Sequence, residues 1–77
     1  MESEIQARVE ELLSNDENLK VEVSVDGNRA NIKVVSDVFV GMTRVARQQL
    51  IYSCIKEMIQ SGDLHAVSIV TRTLVEA

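Results

Sequence analysis

The chain has 77 residues, of which 45% are hydrophobic and 26% charged, and its formal net charge is −4. This composition is ordinary for one small globular domain. The negative charge opposes non-specific attraction to nucleic acids. No apolar run approaches the roughly 20 residues that cross a bilayer. A single cysteine excludes an intrachain disulfide, and the acidic start does not resemble a secretory signal peptide. We therefore expect one cytoplasmic domain over residues 1–77, without a membrane partner.

The first predicted element is a helix over residues 4–14. Ser3 and Gln6 match the capping box, in which two side chains satisfy free backbone donors at the start of a helix. Apolar residues then recur at helical spacing, at Ile5, Val9, Leu12 and Leu13. This stripe predicts that one face of the helix is buried.

Two strands joined by a tight turn are predicted next. Apolar and polar residues alternate in both, which is typical of strands with one buried face. The apolar positions are Leu19, Val21, Val23 and Val25 in the first strand, and Ala30, Ile32 and Val34 in the second. Asp26-Gly27 between them indicates a hairpin, because glycine tolerates the positive φ of a tight turn. The two strands should therefore pair antiparallel.

A long helix and a last strand complete the pattern. Thr43 is a suitable N-cap, and Gly62 a natural stop after a helix that runs to about Gln60. Its predicted apolar face consists of Val45, Ile51, Ile55, Met58 and Ile59, widened by Leu50, Tyr52 and Cys54. Free cysteine at such a position usually behaves as a small hydrophobic residue, so core packing is favoured over reactivity for Cys54. The last strand should place Val67, Ile69 and Thr71 on one face.

The predicted order is therefore α-β-β-α-β, an α+β fold. Both helices should cover one face of a three-stranded mixed sheet, because neither helix nor sheet can bury its apolar face alone. The long helix acts as a crossover, which lets the third strand lie parallel to a neighbour.

Five short motifs within this frame carry a family resemblance. They are Phe39-Val40-Gly41, the run from Gly41 to Val45, Arg47-Gln48, Ile51-Tyr52 and His65-Ala66. In this combination and spacing the chain resembles the BolA family, and in particular its short bacterial IbaG-type branch. The resemblance covers most of the chain and is densest over residues 36–73.

The resemblance implies a fold similar to the type II KH domain and a monothiol glutaredoxin, with its glutathione, as partner. In such heterodimers a [2Fe-2S] cluster is shared and the family histidine, here His65, is a ligand. One histidine cannot hold a cluster, since most cluster ligands are thiolates, so none is expected on the isolated chain. Many relatives carry Cys or His between strands 1 and 2, where this chain has Asp26-Gly27-Asn28-Arg29. Relatives also often end in a segment with Pro and Trp, whereas this chain reads Thr73-Leu74-Val75-Glu76-Ala77.

Other functions stay open. Some members of the family are described as DNA-binding transcriptional regulators, and Gly41, Met42, Arg44 and Arg47 are the residues that would meet a DNA or RNA backbone. Against this, the chain lacks an aromatic platform and a Gly-x-x-Gly loop. A metal-free protein adaptor is a third hypothesis. No nucleophile pair, phosphate loop or metal-spaced cluster is present, so catalysis is not expected.

Overall fold

The alternating segments form one three-stranded sheet, and the helical segments lie on it. The computed structural model describes all 77 residues. Its elements are α1 (Glu2–Leu12), β1 (Lys20–Asp26), β2 (Arg29–Val35), a 3-10 turn (Asp37–Phe39), α2 (Arg44–Gln60) and β3 (Ala66–Arg72). The predicted α-β-β-α-β order is confirmed. The likeness to a type II KH domain stays a prediction.

The sheet is mixed and has the strand order β1-β2-β3. β1 and β2 are antiparallel, and Asp26 pairs with Arg29 across a two-residue turn. Gly27 has a φ of 61° while Asn28 has a negative φ, which is the pattern of a type II′ hairpin turn with glycine first. β3 lies parallel to β2, with Ala66 opposite Arg29. The crossover through α2 therefore works as predicted.

Both helices pack on the same face of the sheet. The core is one cluster of buried residues from α1, β2, the 3-10 turn, α2 and the segments that follow the two helices: Ile5, Val9, Leu13, Ala30, Ile32, Val34, Phe39, Ile51, Ile55, Met58 and Leu64. The apolar residues of β1 and β3 are partly buried and pack against this cluster. On the other face the strands present mainly polar side chains to solvent, as in the exposed positions of β1. The layered arrangement follows from the alternation, because each strand has one apolar side to bury.

Helix α2 has the predicted ends but a narrower apolar face. The Thr43 hydroxyl accepts a hydrogen bond from the Ala46 N–H at 3.1 Å, as expected of an N-cap. Val45 and Tyr52 were predicted on the buried face, and this is wrong, since they are 65% and 42% exposed. A helix on a sheet buries only one stripe of its surface, and in α2 that stripe contains Ile51, Ile55 and Met58.

Helix α1 starts earlier than predicted. It begins at Glu2, and Met1 at the N-cap makes no side-chain hydrogen bond, so the capping box at Ser3 is wrong. The Met1 carbonyl accepts the first helical hydrogen bond, from the Ile5 N–H at 3.1 Å. Glu2 in the first turn suits the positive end of the helix dipole, which favours extension to this point. Leu12, predicted in the buried stripe, is 39% exposed.

Asp16 connects the loop after α1 to the end of β2. Its Oδ2 accepts hydrogen bonds from the Ser36 hydroxyl at 2.7 Å and the Asp37 N–H at 3.0 Å. Its Oδ1 accepts one from the Asn18 N–H at 2.9 Å. The bond from Ser36, followed by the one from Asn18, lowers the pKa of Asp16 below its ordinary value of 3.8. The loop is thereby fixed to the segment that leads into α2.

None of the helices is long and apolar enough to cross a membrane.

Candidate functional site

The backbone of His65 is held between the core and the β1–β2 hairpin. Leu64, the preceding residue, is buried and its N–H donates to the Met58 carbonyl at 3.2 Å. The His65 N–H donates to the carbonyl of Asn28, in the hairpin turn, at 2.9 Å. Two elements far apart in sequence therefore fix the position from which the imidazole projects.

The His65 side chain is exposed to solvent. It takes part in neither of the two ion pairs of the chain. Its ring lies beside Gly62, because a Cβ built on Gly62 would be 4.0 Å from His65 Nε2. Glycine at this position leaves the space next to that nitrogen open. An imidazole that projects into solvent from a fixed backbone can bind a metal from outside the chain.

The surroundings of His65 supply no second soft ligand. The hairpin turn next to it offers only the oxygen donors of Asp26 and Asn28, besides Arg29. Nowhere in the chain do three His, Cys, Asp or Glu side chains form a group that could hold a metal ion. Iron–sulfur clusters take thiolates and, less often, imidazoles. This donor set fits one ligand of a cluster shared with another protein and does not fit a cluster held by the chain alone.

The residues predicted as a nucleic-acid surface surround the start of α2. Arg44 is exposed and Met42 is partly buried. The guanidinium of Arg47, by contrast, has three partners within the chain. Its Nε donates to the Met42 carbonyl at 3.1 Å, its Nη1 donates to Glu76 Oε1 at 2.7 Å, and its Cζ lies 5.8 Å from the centre of the Phe39 ring. The Arg47 side chain is consequently only 13% exposed.

Glu76, which the sequence analysis did not single out, belongs to a capping box in the C-terminal segment. The Thr73 hydroxyl accepts from the Glu76 N–H at 3.2 Å, and Glu76 Oε1 accepts from the Thr73 N–H at 2.8 Å. The bond from Arg47, followed by the one from Thr73, lowers the pKa of Glu76 from 4.5 to about 2. The Thr-x-x-Glu spacing is a known sequence pattern and could have revealed this turn.

The structure does not bring the two candidate sites together. His65 precedes the first residue of β3, whereas Arg47 and Glu76 lie near Arg72 at its last residue. A strand of this length spans roughly 20 Å at about 3.3 Å per residue. His65 and the start of α2 therefore belong to opposite ends of the molecule.

Two further motif residues have structural contacts. The side-chain amide of Gln48 donates to the Ile69 carbonyl on β3 at 2.6 Å, which satisfies a backbone group of an edge strand. Cys54 lies partly buried against the core, as predicted, and its thiol donates to the Ile51 carbonyl at 3.0 Å. Burial raises the pKa of the Cys54 thiol above 9.0, which disfavours the reactive thiolate.

Comparison with known proteins identifies the family of the chain. The family model described as "BolA-like protein" matches residues 6–76. The chain belongs to the BolA-like family. It is 39% identical to the acid stress protein IbaG of Escherichia coli K12 over 74 residues. This alignment covers 96% of this chain and 84% of that protein.

Solved BolA structures share the fold. BolA1 from Arabidopsis thaliana superposes with a TM-score of 0.79 at 32% identity, covering 99% of this chain and 94% of the other. The BolA domain of SufE1 from the same plant superposes with a TM-score of 0.78, again at 32% identity and with 99% and 94% of the two chains covered. The predicted family and fold class are thereby confirmed.

Proposed function

We propose that this BolA-like protein is a non-catalytic, cytoplasmic accessory protein that partners a monothiol glutaredoxin in iron–sulfur cluster handling or iron sensing. The observation that carries the proposal is the exposed imidazole of His65, whose backbone is fixed to the hairpin turn by the 2.9 Å bond to Asn28. The glutaredoxin partner itself is what the BolA resemblance implies.

In this proposal the chain supplies one ligand and a rigid surface. A shared [2Fe-2S] cluster would provide the redox and transfer chemistry, with thiolates from glutaredoxin and glutathione. His65 would contribute its imidazole. Because Leu64 and Asn28 fix the backbone on both sides of the histidine, little ordering of this segment would be needed on binding.

The experiment is anaerobic co-purification of the full chain with a monothiol glutaredoxin and glutathione. Visible absorption and circular dichroism report on the cluster, and size-exclusion chromatography reports on the complex. We expect a heterodimer whose spectrum differs from that of the glutaredoxin homodimer and changes in His65→Ala while the complex persists. Arg44→Ala, an exposed residue at the other end of α2, is the matched control and should leave the spectrum unchanged.

Adding a cysteine ligand to the hairpin turn tests the same proposal by a gain of cluster binding. Residue 28 is in direct backbone contact with His65, so Asn28→Cys would place a thiol in the turn beside the imidazole. We expect this variant to shift the cluster spectrum and slow cluster loss, with Asn28→Ser as the control that adds no soft ligand.

An unchanged spectrum in His65→Ala would exclude the histidine as a ligand, and failure to form any complex would refute the partnership.

Nucleic-acid binding is the alternative. Only Arg44 among the predicted arginines is free for a phosphate, since Arg47 is paired with Glu76. A salt titration distinguishes the two functions, because affinity that depends on phosphate contacts falls steeply with salt.

A further inference from the structure

The end of the molecule opposite His65 combines exposed aliphatic side chains with arginines. Five of the nine large hydrophobic residues that are exposed lie in the segments that meet here: Val38, Val40, Val45, Leu74 and Val75. Arg44, Arg47 and Arg72 line a depression of about 250 Å³ together with Thr71 and Glu76. We call these eight aliphatic and arginine residues the valine–arginine surface.

Backbone and side-chain contacts hold these segments together. The Ser36 N–H donates to the Arg72 carbonyl at 2.9 Å, which joins the start of the 3-10 turn to the end of β3. Arg47 reaches both Met42 and Glu76, which joins the loop before α2 to the C-terminal turn. The exposed valines are therefore presented by a fixed framework.

One position on this surface already binds an anion. Glu76 Oε1 receives both the Arg47 guanidinium at 2.7 Å and the Thr73 N–H at 2.8 Å. Such charge-assisted bonds are about twice as strong as neutral ones. This carboxylate belongs to the same C-terminal turn that presents Leu74 and Val75 of the surface to solvent.

We propose that the valine–arginine surface is a docking site for a segment of another protein that presents a carboxylate beside aliphatic side chains. In the free protein the chain's own Glu76 occupies the anion position of this site. Exposed apolar patches with arginine are typical of protein interfaces. A peptide fits the surface better than a nucleic acid does, because valines offer no stacking platform and the chain carries a net charge of −4. The proposal is independent of the glutaredoxin partnership, since it concerns the cluster-free chain and the other end of the molecule.

The test is a titration of the isolated full chain, followed by the backbone amide resonances in two-dimensional NMR. The probe is the blocked peptide Thr-Leu-Val-Glu-Ala, which copies the C-terminal turn, and its Gln analogue is the uncharged control. The protein variant is Glu76→Gln, which removes the charge but keeps a side chain that suits a capping box. Glu57→Gln is the matched control, because Glu57 is paired with a different arginine, Arg8, at 3.6 Å.

We expect the Glu peptide to shift the amides of Val40, Val45 and Thr73, with a Kd at least about tenfold lower in Glu76→Gln than in the wild type. Apparent affinity falls in proportion to the fraction of molecules whose site is open, so a tenfold change corresponds to a site that Glu76 fills in about nine-tenths of the molecules. Glu57→Gln should behave as the wild type, and adding Arg44→Gln to Glu76→Gln should weaken binding.

Four results would each overturn the proposal. The Gln peptide binding as well as the Glu peptide would remove the role of the carboxylate, and equal affinities in wild type and Glu76→Gln would show a C-terminal turn that is only structural. Displacement of the peptide by a single-stranded oligonucleotide at lower concentration would assign the surface to nucleic acid. Self-association of Glu76→Gln would assign it to a second copy of the chain.

Discussion

Arg44 and Arg47 are three residues apart on α2, yet the structure gives them different roles. Arg44 is exposed, whereas the side chain of Arg47 is 13% exposed and contacts the loop before the helix, the Phe39 ring and the C-terminal turn. We therefore expect Arg47→Met to destabilise the fold and Arg44→Met to leave it intact. Methionine keeps an unbranched stem in each case, so the comparison isolates the guanidinium.

The size of the effect follows from the contacts of Arg47. Removing a charged donor from the Met42 carbonyl costs about 1.5–3 kcal/mol, and the contact with the Phe39 ring contributes about 0.5–1 kcal/mol. The pair with Glu76 is not counted, because the Glu76 side chain is 43% exposed and solvent screens the attraction. We expect Arg47→Met to lower the free energy of unfolding by about 2–4 kcal/mol, a large fraction of the roughly 4–12 kcal/mol of a domain this size.

Urea denaturation followed by circular dichroism at 222 nm measures this difference. Arg44→Met should remain within about 0.5 kcal/mol of the wild type, as surface substitutions usually do. If both variants unfold at the same urea concentration as the wild type, the contacts of Arg47 do not stabilise the fold. Arg47 would then be a free cation like Arg44, and the reasoning from its burial would be wrong.

Two further predictions concern pH and a glycine. Glu76 and Asp16 have lowered pKa values in the folded protein. Their charged forms therefore contribute fully to stability above the ordinary pKa values, 4.5 for Glu76 and 3.8 for Asp16. This contribution is lost as the pH falls through the pKa values of the folded protein, about 2 for Glu76. We expect the urea midpoint to decrease between pH 4.5 and 2, and to decrease less in Glu76→Gln; a midpoint constant over this range would contradict the assignment. Gly62 has a φ of 86°, where a Cβ costs about 1–2 kcal/mol, so Gly62→Ala should lose that much stability in the same assay. Gln60→Ala, at an exposed helical position two residues earlier, is the control. An unaffected Gly62→Ala would show that the turn adapts.

The fold was predictable because its determinants are local. Alternation in β1, β2 and β3 and the glycine turn at Gly27 are visible within a few residues, and they suffice to fix the hairpin and the buried side of the sheet. The errors occur where the determinant is not local. Val45 and Tyr52 are apolar and lie in a helix, but which stripe of α2 is buried depends on the sheet beneath it, and the sequence of the helix alone does not contain that information.

The candidate sites were predictable only in part. His65 was found through the family motif, but its contact with Asn28 joins residues that are 37 positions apart, and the partners of Arg47 include Glu76, 29 positions away. Helical and strand periodicity carries no information about such pairs. The capping box from Thr73 to Glu76 is local and was visible in principle.

The separation of the two ends has a consequence for how the protein works. His65 and the valine–arginine surface lie at opposite ends of β3, roughly 20 Å apart, in a molecule whose longest dimension is 33 Å. Sites more than about 7–10 Å apart that share no partner usually act additively. In these two proposals a metal-sharing partner would bind at one end and a peptide at the other, and neither event would need the other. Glu76→Gln should leave the cluster spectrum of the glutaredoxin complex unchanged, and His65→Ala should leave the peptide Kd unchanged. A change in either would mean that the core between them transmits the effect, since Leu64 next to His65 and Phe39 under Arg47 belong to the same buried cluster.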